Sequence, residues 1–211
     1  MEDDKVTFRI AYFGSMILAV CLIILNGCAG SSKPSEFYLL RSLPASQGPG
    51  LNAPENSSPS VLVGPVTLPA YLNRNQIVTL AGDHTLVLNE FTRWAEPLQD
   101  NFSRVLVENL SLLLKTPKVY SFERRGSTRS DFKIVIDVTR FDSTAGGDAY
   151  LTAFWSVIGR EGSVLMQRKS IFQAPVPSMG ASGVVEAQNR TLTEFSREIA
   201  AAIQSLPRDR H

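Results

Sequence analysis

Histidine is nearly missing from this chain of 211 residues: His84 falls in a turn-like stretch and His211 is the last residue. Cysteine is as scarce, with only Cys21 and Cys28, both near the N-terminus. So small a set offers no zinc-ligand spacing. A Ser-His-Asp arrangement would have to use His84, and no G-x-S-x-G nucleophile elbow accompanies it. A phosphate-binding loop is missing too, because Gly146-Gly147 stands in a hairpin context and not between a strand and a helix. Carboxylates are scattered, with nothing to single out a pair for acid-base work. No basic block stands out, and the formal net charge is +1, which argues against nucleic acid as a partner. These absences leave no catalytic residue, no metal site and no cofactor to expect, and an enzyme is not the expected class.

What is present starts at the N-terminus. The apolar run Ile10–Leu25, flanked by Lys5 and Arg9, leads directly into Leu25-Asn26-Gly27-Cys28. An apolar stretch of this length followed by small residues reads as a cleaved signal. The cysteine at its end is the expected lipidation site, so residues 1–27 would be removed and Cys28 would carry acyl chains. The other reading of the run is an uncleaved signal anchor, although spanning needs about 20 apolar residues. Either reading puts the domain in the periplasm. Ala29 stands where an aspartate would hold the protein at the inner membrane, which favours the outer one. The polar stretch Ala29–Pro34 suits a flexible tether over 28–36. With Cys21 removed and Cys28 acylated, no disulfide is available, and stability must come from an apolar core.

The remainder, 37–207, reads as a single domain. Phe37–Arg41 is a short strand candidate, followed by a Pro-, Ser- and Gly-rich stretch at 42–60 that reads as a long loop. Strand character returns at Val61–Leu68 and stops at Pro69. Gln76–Leu80 and Thr85–Phe91 read as a hairpin. Leu98, Phe102, Val105, Leu106, Leu110, Leu113 and Leu114 recur at helical spacing and predict a helix over Pro97–Lys115. A short strand at Lys118–Phe122 comes next. Phe132–Phe141, Ala149–Val157 and Ser163–Gln173 alternate around tight glycine turns, the pattern of an antiparallel meander. A last helix, with Ser182 as its N-cap and an apolar stripe through Leu192, Phe195, Ile199 and Ile203, ends before Pro207. The expected fold class is α/β (α+β): a mixed sheet with two long amphipathic helices packed on it.

Two segments combine aromatic, cationic and rigid residues. In Leu68–Arg74 these are Pro69, Tyr71, Leu72 and Arg74; in Glu90–Leu98 they are Arg93, Trp94 and Glu96. As function they are candidate partner-binding residues, since Trp and Arg anchor many interfaces. As structure, Trp94 would fill the core beneath the helix start, Arg93 would pair locally, and Tyr71 and Leu72 would pack under a Pro-bent loop. Both readings stay open at this point.

Val63-Gly64-Pro65-Val66, Leu68–Arg74, Gln76–Thr79 and Arg93–Leu98, with the early Phe37–Leu40, resemble the PqiC-like (YmbA-like) family of ABC-type transport auxiliary lipoproteins. Where that family often has a proline before the Gln and a basic residue after the Thr, this chain has Asn75 and Leu80. The resemblance implies a non-catalytic subunit of an intermembrane lipid transport system. Its partners would be an MCE-domain protein with its permease and ATPase, and the membrane itself through the lipid anchor; a homo-oligomer is compatible with this. The alternative is a periplasmic module that itself carries phospholipid.

Overall fold

The computed structural model describes residues 33–44, 58–82, 84–122, 129–144 and 146–207. The signal segment, Cys28, the start of the tether and the middle of the Pro-rich loop lie outside the described residues. The elements run β1 (Glu36–Tyr38), β2 (Val61–Thr67), a 3-10 turn (Ala70–Leu72), β3 (Gln76–Ala81), β4 (Thr85–Trp94), α1 (Leu98–Leu113), β5 (Val119–Ser121), β6 (Phe132–Thr144), β7 (Asp148–Gly159), β8 (Val164–Pro175) and α2 (Ala181–Ser205). All belong to one compact unit, Ser35–His211. No helix among the described residues is long and apolar enough to cross a membrane.

β6 organises the sheet. One of its edges pairs antiparallel with β7, from Phe132↔Gly159 to Ser143↔Ala149, and β7 pairs antiparallel with β8. This is the expected meander. The other edge is divided. β2 runs parallel to the first half of β6, from Val61↔Phe132 to Thr67↔Asp137, while β3 meets only its end, at Thr79↔Ser143 and Leu80↔Thr144. β5 lies outside β2, and β4 then β1 lie outside β3. The division occurs where β2 runs out. Gly64 has φ 118°, a region that side-chain-bearing residues avoid, and the Gly64–Pro65 peptide is cis. The register against β6 shifts between Val63 and Val66, and Pro65 occupies that irregularity, a place where its missing N–H is tolerated.

The alternation of β6 and β7 puts Ile134, Ile136, Leu151, Ala153, Trp155 and Val157 in the core with the apolar stripes of both helices. Phe102 of α1 meets Phe141 of β6 edge to face at 5.2 Å. Trp155 is fully packed, with its indole N–H donating to Ser170 at 2.9 Å and its ring edge to face with Phe195 of α2. Ser170 in turn donates to Glu198, so β7, β8 and α2 are tied by one chain of bonds.

Several element ends differ from expectation. Pro97 is extended (ψ 128°) and precedes the helix, which begins at Leu98. The helix stops short of Lys115 because that residue turns left-handed, at φ 56°. The amides of Lys115 and Thr116 then bond back to Leu112 and Ser111, closing the end as a Schellman motif without glycine. Ser182 does not cap α2. Gly180 takes that position, and Ser182 lies inside the first turn. The turn before α2 also folds back so closely that a Cβ on Gly183 would come 2.0 Å from the Ser178 carbonyl oxygen. β1 and β5 are shorter than the strands expected there. The Pro-rich loop is less free at its ends than its composition suggests, since Leu43 and Pro59 are buried.

Candidate partner-binding surface

The two candidate segments, distant in sequence, are neighbours in the fold. Gln76 is in register with Arg93, and the Trp94 amide donates to the Asn75 carbonyl at 2.7 Å. A carboxylate joins them: Glu90 accepts from Gln76 at 3.0 Å and pairs with Arg93 at 3.2 Å. Glu96 is half-buried and held by Arg104 of α1, which also reaches Glu108 at 3.4 Å.

Burial separates the structural from the surface members. Trp94 and Leu72 are 5% and 4% exposed, so both are core side chains and present no surface to a partner. Pro69 opens the 3-10 turn, whose Leu72 amide returns to its carbonyl at 2.9 Å. Tyr71 is half-buried and donates its hydroxyl to Asp142 at 2.7 Å. Asp142 is buried at 3% exposure and also accepts from Arg140 at 2.9 Å. Arg140 lies over the Tyr150 ring at 3.8 Å. The loop is therefore pinned to β6 through one buried carboxylate, and it displays Ala70, Asn73 and Arg74 to solvent.

This geometry has a testable consequence. The Tyr71 pKa is pushed above its ordinary 10.0, first by burial, then by the hydrogen bond to Asp142 and the charge of that carboxylate. The unfolded chain releases this proton near pH 10, while the folded chain retains it. The stability from this group is full below pH 10 and declines as the pH rises beyond it. Tyr71→Phe should cost about 1.5–3 kcal/mol at pH 8, as for a lost bond to a charged group. The gap between wild type and variant should narrow above pH 10, read from urea midpoints.

Sequence reading passed over three asparagines that fix the segment after β1. Asn101 of α1 accepts from the Leu40 amide at 2.7 Å and donates to its carbonyl at 3.2 Å. Asn109, two turns on, accepts from the Leu43 amide at 2.8 Å and donates to Ser196 of α2 at 3.1 Å. Asn189 of α2 accepts from the Arg41 amide at 2.9 Å. Asn101 and Asn109 are wholly buried. Their signal was in the sequence: they share the apolar stripe with Val105 at intervals of four residues.

Set against known proteins, residues 38–200 match the family described as "ABC-type transport auxiliary lipoprotein component". The chain belongs to this family. Among relatives of this auxiliary lipoprotein, the "Intermembrane transport lipoprotein PqiC" of Escherichia coli is 24% identical over 191 residues, covering 90% of this chain and 98% of the relative. The protein of the same name from Shigella flexneri matches to the same extent. A crystal structure from Xanthomonas campestris superposes with a TM-score of 0.63 at 21% identity, covering 80% of this chain and 94% of the other. Another, of an uncharacterized protein, reaches 0.64 at 23% identity over 81% and 99%. These likenesses establish a shared fold for the auxiliary lipoprotein.

Proposed function

We propose that this auxiliary lipoprotein is a non-catalytic subunit of an intermembrane lipid transport system, anchored through acylated Cys28 in the outer membrane. There it docks a periplasmic MCE assembly with its permease and ATPase, and so supports envelope integrity. The family match across nearly the whole compact unit carries this reading. It is supported by relatives named for intermembrane transport and by the Leu25–Cys28 signal. Docking falls to the exposed Pro69–Arg74 loop, because that loop is rigidly pinned from beneath by Tyr71 on Asp142 and presents a cation at Arg74.

The test is a pull-down from detergent-solubilised envelopes. Ala70→Glu combined with Arg74→Glu reverses the charge of the exposed loop positions without touching Tyr71 or Leu72. Recovery of an MCE-domain protein should fall at least tenfold, with an unchanged thermal melt. Equal recovery from wild type and variant would rule the loop out as the docking element.

A further inference from the structure

The exposed apolar side chains are unevenly placed. Among the described residues, more than half of the large ones fall in or just beside β1 and β4: Phe37, Leu39, Leu86, Val87, Leu88 and Phe91. Phe37 is 64% exposed and in register with Arg93, two residues on from Phe91, so the two phenylalanines lie on adjacent strands. Tyr38 and Leu40 point into the core, and the alternation turns Phe37, Leu39 and Arg41 outward. Lys33 and Arg41 flank the strand, and both are exposed. The carboxylates close by are already engaged, Glu36 by the Tyr38 hydroxyl and Glu90 by Arg93 and Gln76.

From these observations we infer that Phe37, Leu39 and Phe91 form a membrane-facing patch that rests in the headgroup region of a phospholipid bilayer beside the lipid anchor. The inference rests on acylation at Cys28 and is independent of the MCE docking reading. The chain between anchor and patch decides the occupant. Only residues 29–35 separate Cys28 from β1, a span of about 28 Å at full stretch and about 16 Å on average for a flexible chain. A patch tied so closely to acyl chains meets the bilayer surface at high effective concentration. Aromatic and aliphatic side chains with lysine and arginine beside them match the chemistry of that interface, where anionic headgroups attract the cations. The sheet's far side lies beyond the average span of that tether. Five strand spacings separate β1 from β8, about 24 Å across the sheet. The acyl chains supply the attachment, and the patch sets which side of the domain faces the lipid.

Cys28 is the sole cysteine of the chain from residue 28 onward, so its thiol can be coupled to a maleimide-bearing lipid in phosphatidylethanolamine–phosphatidylglycerol vesicles. Tryptophan is placed by Phe37→Trp, by Phe91→Trp, and by Val164→Trp as the remote control, a position 62% exposed on β8. The signal of Trp94 and Trp155 is subtracted with the parent protein. Brominated phospholipid should quench the first two at least threefold more than the third. Equal quenching at all three positions, or none at any, would overturn the inference. So would self-association that shields Phe37 and disappears in a Phe37→Ser, Phe91→Ser variant, since the occupant would then be a second copy. The chemical coupling makes the outcome independent of the cell. Absence of palmitate incorporation at Cys28 in vivo would instead refute the acylation reading on its own.

Discussion

Cys28→Ala is expected to abolish palmitate labelling and to remove the chain from the outer-membrane fraction completely, while the melting temperature of the folded domain stays the same. The first half of this follows from the energetics of anchoring. Each buried methylene contributes about 0.8 kcal/mol, one acyl chain holds a protein only marginally, and two or more anchor it stably. A cysteine with a diacylglycerol and an acylated amino group passes from one regime to the other in a single modification, so its loss acts as a switch. The second half follows from where the cysteine lies. The compact unit begins at Ser35, and the sequence from Ser35 onward contains no cysteine. Radiolabelled palmitate, density fractionation and circular dichroism check the three parts separately. Labelling that persists in the alanine variant, or a chain that still co-sediments with the outer membrane, would show that something other than Cys28 holds it there. A chain retained at the inner membrane instead would identify Ile10–Leu25 as an uncleaved span once cleavage is blocked.

The helices and the meander were legible in the sequence because each buries one face at a fixed period. Phe102, Val105, Leu106 and Leu110 leave no alternative to a helix lying on a sheet, and Leu151, Ala153, Trp155 and Val157 none to a strand. The forked edge of β6 was not legible. No local pattern says that β2 and β3 must share one edge of a strand seventy residues later, and the cue at Gly64-Pro65 marks a bend without naming the neighbour. Trp94 and Leu72 show the limit of residue type as a guide to surfaces. A tryptophan beside an arginine at a strand-to-helix junction is written alike whether it anchors a partner or fills the core, and only the chain folded above it decides. Tyr71 lies between the two cases, because its ring is half covered and its hydroxyl is committed to Asp142, a carboxylate with no distinguishing neighbours in sequence.

Asn101→Leu should lower stability by about 3 kcal/mol. The side chain is wholly buried and satisfies both backbone polar groups of Leu40, doing for an isolated segment what a neighbouring strand would do. Leucine has nearly the same volume, so no large cavity forms, but it leaves a buried donor and a buried acceptor without partners, at about 1–3 kcal/mol each. The apolar gain at residue 101 offsets only part of that. Asn189→Leu is the control: it removes one bond to the exposed Arg41 segment, where water can replace it, and should cost well under 1 kcal/mol. Urea unfolding gives the two magnitudes. Hydrogen exchange distinguishes a local from a global effect, because opening confined to the segment exposes its amides at a lower free energy than unfolding the core. In Asn101→Leu the amides of Leu40 and Leu43 should exchange much faster, while those of β6 and β7 keep pace with global stability alone. Uniform acceleration along the chain would mean that Asn101 supports the whole core and not the strap. The distinction bears on the anchor. With Cys28 acylated as proposed, a pull on the anchor would enter the domain through β1 and Leu40–Leu43, and β1 alone is only three residues long. Asn101 and Asn109 would carry that load into α1, and Asn109 would pass it on to α2 through its bond to Ser196.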